Sequence, residues 1–322
     1  MTGGDFQLNC KILFDWLSFT ARDIKPERMT ELLDLDDVEW AIVDRNAHGF
    51  KRRYYFNGIN IHFDNPQFEG VWVEFSGQGC RAFDEFSPMD WSVLFALIID
   101  NEFHLTRLDV AYDDREKVLN LDKIYREVEN QNYVSNMISW DTHNSNKGKT
   151  VYIGSMKSDI MFRVYDKSRE RGREDEGHWI RFEMQLRNDR ALEFIKKLRE
   201  NDIGSLFNGV LENYLRFVIP SKTDSNKRRW KSQKWWTKFT NKAKAISLWT
   251  PCDTNYNITK CENYVYKHAG NAISTLLQIK GSKQFYKDLQ KNRPQVVSEK
   301  YHSLLAEYGK TFNVQQQPQI EA

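Results

Sequence analysis

Apolar and polar residues alternate with a period of two through much of the chain up to about residue 220, broken by stretches of helical spacing. The alternation predicts strands at Ile12–Thr20 (ILFDWLSFT), Val71–Gly77, Leu105–Asp114, Thr150–Ile153, Ile160–Asp166 and His178–Arg187. The run RRYYFNGINIHF reads as a hairpin turning at Asn57-Gly58, a pair that accepts the positive φ angles of a tight turn. Helices are expected in KPERMTELLDL, with Pro26 near its start, and in SPMDWSVLFALIID, with Ser87 as N-cap and Pro88 as first residue. Three more are expected in NLDKIYREVENQ, capped by Asn120, in DRALEFIKKLREN and in SLFNGVLENYLRFV. The segment Asp141–Thr150 (DTHNSNKGKT) is polar enough to predict a loop. After Pro220 the pattern changes to a basic linker, then to helical spacing up to about Gly309, then to a disordered tail, NVQQQPQIEA. These elements predict an α+β fold, an antiparallel sheet with a polar face and helices packed on the other. Residues 1–220 would form this main domain, and 221–322 a basic linker with a smaller, mostly helical region.

Three of the strands share an unusual polar face. Alternation puts Arg107, Asp109, Ala111 and Asp113 on one side of their strand and Leu108, Val110 and Tyr112 on the other. In the same way Arg181, Glu183, Gln185 and Arg187 oppose Ile180, Phe182, Met184 and Leu186, while Arg163, Tyr165 and Lys167 oppose Phe162, Val164 and Asp166. The plain explanation is a solvated face laced with ion pairs. Chemistry offers another. Carboxylates meeting across strands repel unless a cation lies between them, and oxygen ligands suit Mg²⁺ or Mn²⁺. Arginines fork onto phosphate. A tyrosine among cations is expected to favour its phenolate, a nucleophile. Together these parts describe a phosphodiester-transfer site.

Composition narrows the classes without choosing among them. Charged residues make up 29% and hydrophobic residues 40%, as in soluble globular proteins, and a net charge of +2 says little about partners. The 4 cysteines lack metal-ligand or disulfide-framework spacing. No apolar run approaches the ~20 residues of a membrane span, and the N-terminus lacks a signal pattern, so a cytoplasmic protein without membrane contact is expected. There is neither a GxGxxG nor a Walker loop, which argues against a nucleotide-binding α/β fold.

The stretches LTRLDVAYD, VYIGSMKSDIMFRVYDKSRE and HWIRFEMQLR resemble, in order and spacing, the replication initiation factor family. That family comprises rolling-circle initiators of plasmids and filamentous phages and relaxases of conjugative elements. DWLSFT, VEFSGQGCRAF and RRWKSQKWWTKF also look like its motifs, so the resemblance spans roughly residues 12–240. It implies that Tyr165 is the nicking nucleophile; the cations Arg163, Lys167 and Arg181 beside it are expected to offset charge at the scissile phosphate. It implies metal-site roles for Asp109 and Glu183, with Asp113 and Glu74 as further candidates beside the motifs, and Mg²⁺ or Mn²⁺ as cofactor. The HxH pair of better-known rolling-circle nucleases is absent, so any metal would rest on carboxylates. The implied reaction is nicking and rejoining of origin DNA, single-stranded or supercoiled, through a 5′-phosphotyrosine that frees a 3′-OH primer. A host helicase and a second copy of the chain are implied partners. A conjugative relaxase, or an origin-binding protein without catalysis, are the alternatives on the same fold.

Other residues compete for attention. Between Arg216 and Lys244 there are ten Lys or Arg and one acid, Asp224, with Trp230, Trp235 and Trp236 interleaved. Cations neutralise phosphates and exposed aromatics stack on unpaired bases, so Arg228, Arg229, Trp230, Lys231 and Lys234 are expected to contact DNA. The same tryptophans could equally anchor a helix to the body. Tyr112 is expected in the core, Cys80 as a small packed residue, and His62 and His104 in structural or surface roles, His62 being a ligand only if its strand borders the site.

Overall fold

The computed structural model describes residues 12–292 except 147, 242–243, 245 and 249–257, and beyond them 301, 304–306 and 309. The tail NVQQQPQIEA and the first eleven residues lie outside the described residues. Twelve strands and eight α-helices precede residue 250: β1 (Ile12–Arg22), α1 (Pro26–Leu32), β2 (Ala41–Ala47), β3 (Phe50–Phe56), β4 (Ile59–Phe63), β5 (Gly70–Phe75), α2 (Gly77–Phe86), α3 (Trp91–Asp100), β6 (His104–Asp114), α4 (Leu121–Glu129), β7 (Tyr133–Ser135), β8 (Trp140–Ser145), β9 (Gly148–Ile153), β10 (Ile160–Asp166), α5 (Lys167–Glu170), β11 (Ile180–Arg187), α6 (Asn188–Lys197), α7 (Ile203–Tyr214), β12 (Leu215–Phe217) and α8 (Lys234–Phe239), counted among the described residues.

Ten strands form one sheet in the order β2-β3-β4-β5-β1-β6-β11-β10-β9-β8, each neighbouring pair antiparallel. The antiparallel α+β expectation is met. The helices bury one face of the sheet, where Leu17, Phe19, Val73, Phe75, Leu108, Val110, Phe162, Val164, Phe182 and Met184 meet them. Trp91 of α3 packs on Phe14, Phe83 and Phe95 at ring distances of 4.8, 5.0 and 5.7 Å. The short pair β7–β12 lies apart from this sheet.

Two local expectations need correction. The DTHNSNKGKT loop is the edge hairpin β8–β9, turned by Gly148 at φ +100°. Its polar side chains suit an edge strand, which solvates one side and needs only its backbone to pair. The helix expected from Ser87 starts at Trp91 with Asp90 as N-cap; Ser87 instead ends α2 and donates to the Leu33 carbonyl at 2.9 Å. The glycines that close β5, as the sequence suggested, go straight into α2, capped by the Ser76 hydroxyl, which accepts from the Gly79 amide at 3.2 Å.

The chain divides into two compact units, Met1–Thr250 and Pro251–Ala322. The basic stretch after Pro220 therefore packs with the first unit, because Trp236 of α8 is fully buried against Phe182, Phe217 and Phe239 at ring distances of 6.3, 5.1 and 5.6 Å. The second unit is helical where it is described: α9 (Ile258–Asn263), a π-helical segment Tyr264–Ala269, α10 (Gly270–Lys280) and α11 (Ser282–Lys291). Among the described residues, no helix is long and apolar enough to cross a membrane.

Candidate active site

The three strands with a polar face are β6, β11 and β10, and they are consecutive in the sheet. Their register sets Arg181 opposite Asp113, Glu183 opposite Ala111, and Gln185 opposite Asp109 on one side. On the other side Arg163 lies opposite Glu183, and Tyr165 opposite Arg181. β1 extends the same face, with Trp16 opposite Asp109 and Ser18 opposite Arg107. A solvated face would leave such side chains in water. Instead Asp109 and Glu183 are each 2% exposed, Arg181 3% and Gln185 4%. Charges this deep must be paired and hydrogen-bonded.

They are. Arg163 Nη2 donates to both Glu183 oxygens at 2.7 Å. Arg107 forks onto Asp109 through Nε at 2.8 Å and Nη2 at 2.5 Å. Arg181 forks onto Asp113 at 2.6 and 2.7 Å and lies 2.6 Å from Asp15. At the centre, the Tyr165 hydroxyl donates to Glu183 Oε2 at 3.1 Å and accepts from Lys167 Nζ at 3.3 Å. The guanidinium of Arg163 lies 4.8 Å from the Tyr165 ring centre, and Lys167 Nζ 5.4 Å. Lys167 is not a strand residue. It begins α5, capped by Asp166, and its buried ammonium also pairs with Glu170 at 2.7 Å.

Two protonation equilibria follow from this packing. Burial, then the Glu183 charge, push the Tyr165 hydroxyl well above its ordinary value, against the opposing pull of Arg163 and Arg181. The expectation that the cations alone would favour the phenolate is therefore corrected: the Glu183 carboxylate and the dry surroundings outweigh them. Asp109 is also raised, to about 7, by burial first and by Glu183 as its neighbour, with Arg107 opposing. Two buried carboxylates thus share a space that favours only one negative charge unless a cation joins them.

The remaining sequence-predicted residues fall in several places. Asp113 sits on this face but is consumed by Arg181. Glu74 is on β5, two strands from β6, opposite Ser18 and Asn60. His62 is buried on β4 and stacked 4.4 Å from Trp72, while Tyr112 faces the helices, 5.1 Å from Phe239. Burial pushes the Cys80 thiol well up, as for a packed residue. Arg228, Arg229, Lys231 and Lys234 are exposed, and Trp230 is half-buried. Their segment is anchored by Trp236 on Phe182, that is, on the face opposite Tyr165. The structure does not bring them together with the tyrosine. Among the described residues no cluster of three or more His, Cys, Asp or Glu is arranged to hold a metal.

One residue of the site escapes a reading by alternation. Asp15 is the extra residue of a β-bulge between Phe14 and Trp16, which switches the parity of β1 so that Phe14 and Leu17 both face the core. The bulge brings its carboxylate to Arg181. The signal was present in ILFDWLSFT, where strict alternation would bury either Asp15 or Phe14 on the wrong side.

Comparisons with known proteins agree with this architecture. Residues 11–96 match the rolling circle replication initiation protein N-terminal domain, and residues 103–291 match the replication initiation factor family. A Bacillus subtilis (strain 168) protein named as a DNA relaxase, NicK, is 26% identical over 280 residues, 81% of this chain and 79% of that protein. The solved structure of a rolling circle replication initiator protein from Geobacillus stearothermophilus superposes with a TM-score of 0.66 at 29% identity, covering 74% of this chain and 99% of that one. With the match at 103–291 spanning more than half of the 322 residues, the chain belongs to the replication initiation factor family.

Proposed function

We propose that the chain nicks and rejoins one strand of origin DNA, with Tyr165 as the nucleophile. The observation that carries this reading is the buried hydrogen bond from the Tyr165 hydroxyl to Glu183, flanked by Arg163 and Lys167. A tyrosine whose own acidity is suppressed needs a base in contact, and Glu183 is that base. As the Tyr165 oxygen attacks phosphorus, its proton passes to Glu183. The P–O3′ bond breaks, the 3′-oxygen takes a proton from water, and a 5′-phosphotyrosine and a 3′-OH result. The reverse attack by the 3′-OH rejoins the strand without a nucleotide cofactor. Arg163 and Lys167 stand where they can offset charge on the phosphoryl oxygens. Arg181, held by Asp113 and Asp15, serves to orient the face.

The donor set suits a divalent cation. Asp109 and Glu183 are paired oxygen donors whose mutual repulsion a cation would relieve, and Mg²⁺ or Mn²⁺ is commonly bound by one or two carboxylates plus water. Such an ion would supply Lewis-acid stabilisation of the phosphoryl charge. Arg107 and Arg163 already fork onto these two carboxylates as Arg181 does onto Asp113, so a bound cation would have to share or displace those arginines; Glu74 lies on β5, two strands from β6.

The relatives carry the names of both an initiator and a relaxase, and the same chemistry would serve priming or strand transfer. The test is a covalent adduct. With a labelled single-stranded oligonucleotide from the element's own origin and Mn²⁺, the parent protein should give an SDS-resistant band. Tyr165→Phe should give none while still binding the oligonucleotide. Nicking by the Phe variant at the parental rate would reject the tyrosine assignment. Binding by the parent without any adduct would favour a non-catalytic origin-binding protein.

A further inference from the structure

Beside the tyrosine cluster, on the same face of the sheet, lies a groove of about 540 Å³. Trp16, Ser18 and Thr20 of β1 form its floor with Thr106 and Arg107 of β6 and Arg187 of β11. Trp72 and Glu74 of β5, with His48 of the β2–β3 turn and Phe50 of β3, form its far wall.

Two features of the groove ask for a ligand. Arg107 and Arg187 stand directly opposite each other across β6 and β11. Like charges so placed repel unless an anion lies between them. Arg107 has Asp109 as a partner, but Arg187 has no carboxylate partner among the described residues, and its Nε is buried without a hydrogen bond. The groove also holds two half-buried indoles. Trp16 stacks under the Arg107 guanidinium at 4.5 Å, and Trp72 is braced by His62 at 4.4 Å and by His48, edge-on, at 4.9 Å. Trp72 lies opposite Thr20, four residues along β1 from Trp16, so the indoles are about 13 Å apart along the strand. That span suits a run of several rings rather than one small molecule.

We propose that this groove is a track for unpaired DNA leading to Tyr165, in which bases stack on Trp16 and Trp72 and Arg187, with Arg107, holds a backbone phosphate. The inference rests on the reading that the substrate is DNA and adds where its unpaired strand runs. Arg107 joins the two places, because it lines the groove and forks onto Asp109. Glu74, which accepts from the buried Asn60 amide at 3.5 Å, offers a polar carboxylate edge on the groove wall. Stacking tolerates sequence, so the groove supplies affinity and the track direction rather than origin choice.

The test needs no origin sequence. Binding of a fluorescein-labelled dT 12-mer to the full chain is compared with that of an abasic 12-mer carrying the same phosphates. The dT strand should bind at least about 10-fold more tightly. Equal affinity would overturn the proposal, and this arm depends on no variant's folding. Trp16→Leu and Trp72→Leu should each weaken dT binding about 5- to 150-fold, with little effect on the abasic strand. Arg187→Gln should weaken both strands and reduce the salt slope by about 0.7. Parental affinity in all three variants would sink the track even if Tyr165 forms its adduct. Tryptophan-dependent binding in a protein that forms no adduct would uphold the track and reject the nicking reading.

Discussion

Asp109 is the residue whose surroundings make the sharpest demand. Its carboxyl is raised to about 7, chiefly by burial, so the folded protein holds a proton there that the unfolded chain releases near pH 4. Stability from this group is present below the unfolded value and is lost as pH rises through about 7. In metal-free buffer, the melting midpoint should therefore fall between pH 5 and 8, with Asp109 contributing part of the slope. Mn²⁺ at pH 8 should recover it, and Asp109→Asn should show a shallower fall and no recovery by Mn²⁺ in a pH series of thermal melts. A parental midpoint indifferent to Mn²⁺ at pH 8 would reject the carboxylate pair as a cation site. Arg181 makes a second demand: it is 3% exposed between Asp113 and Asp15. Asp113→Ala should cost roughly 3–5 kcal/mol in chemical denaturation, because it strands part of a buried charge. At this scale the sequence was informative wherever parity held. Tyr165, Arg163, Glu183 and Asp109 could be assigned to one face because a strand alternates without exception between bulges. Asp15 could not, since the bulge that aims it depends on pairing with β6.

Among the elements, the turn after β3 and the start of α2 depend on each other. Asn57 and Gly58 both take positive φ, 41° and 90°, as the hairpin reading requires. Gly79 has no such need, yet a Cβ there would stand 2.4 Å from the Gly58 carbonyl oxygen. The two glycines let the β3–β4 turn touch the first turn of α2, and the Ser76 amide donates to the Gly58 carbonyl at 3.0 Å. Gly79→Ala should thus destabilise by roughly 1–3 kcal/mol rather than gain helix propensity, measured by urea denaturation. A stabilised variant would mean that the backbone there yields easily. This also explains why SGQGC was opaque in sequence: its glycines serve a close approach to residues far away along the chain. The β8–β9 hairpin was hidden for the opposite reason. An edge strand needs no apolar face, so its letters matched those of a loop.

For the molecule as a whole, the sheet separates two kinds of surface. Tyr165 and its acids occupy one side, while the basic segment Lys227–Lys238 is fastened to the helical side through Trp236 and Phe239. If the proposed nicking reading holds, the exposed cations there would meet duplex DNA flanking the nick. Replacing Arg228, Lys231 and Lys234 together by Gln should weaken duplex binding and lower the salt slope by about 0.9 for each phosphate no longer neutralised. Adduct formation on a single-stranded oligonucleotide should persist, as gel assays of both would report. A chain cut after Thr250 should melt cooperatively, whereas one cut after Pro220 should not, because Trp236 and Leu248 complete the core. The basic composition after Pro220 was legible, but its attachment was not, since only the packed structure shows which tryptophan is buried.

Tyr165 lies on β10, hydrogen-bonded between β9 and β11 and two strands in from the edge at β8. A side chain on such a strand has no hinge. On the proposed reading, a DNA end joined to it would be carried by a strand paired on both sides rather than by a loop, so little of the backbone would move with it. Under the proposed reading the freed 3′ end is then the more mobile partner, and strand exchange would turn on which 3′ end reaches the tyrosine-bound phosphate first.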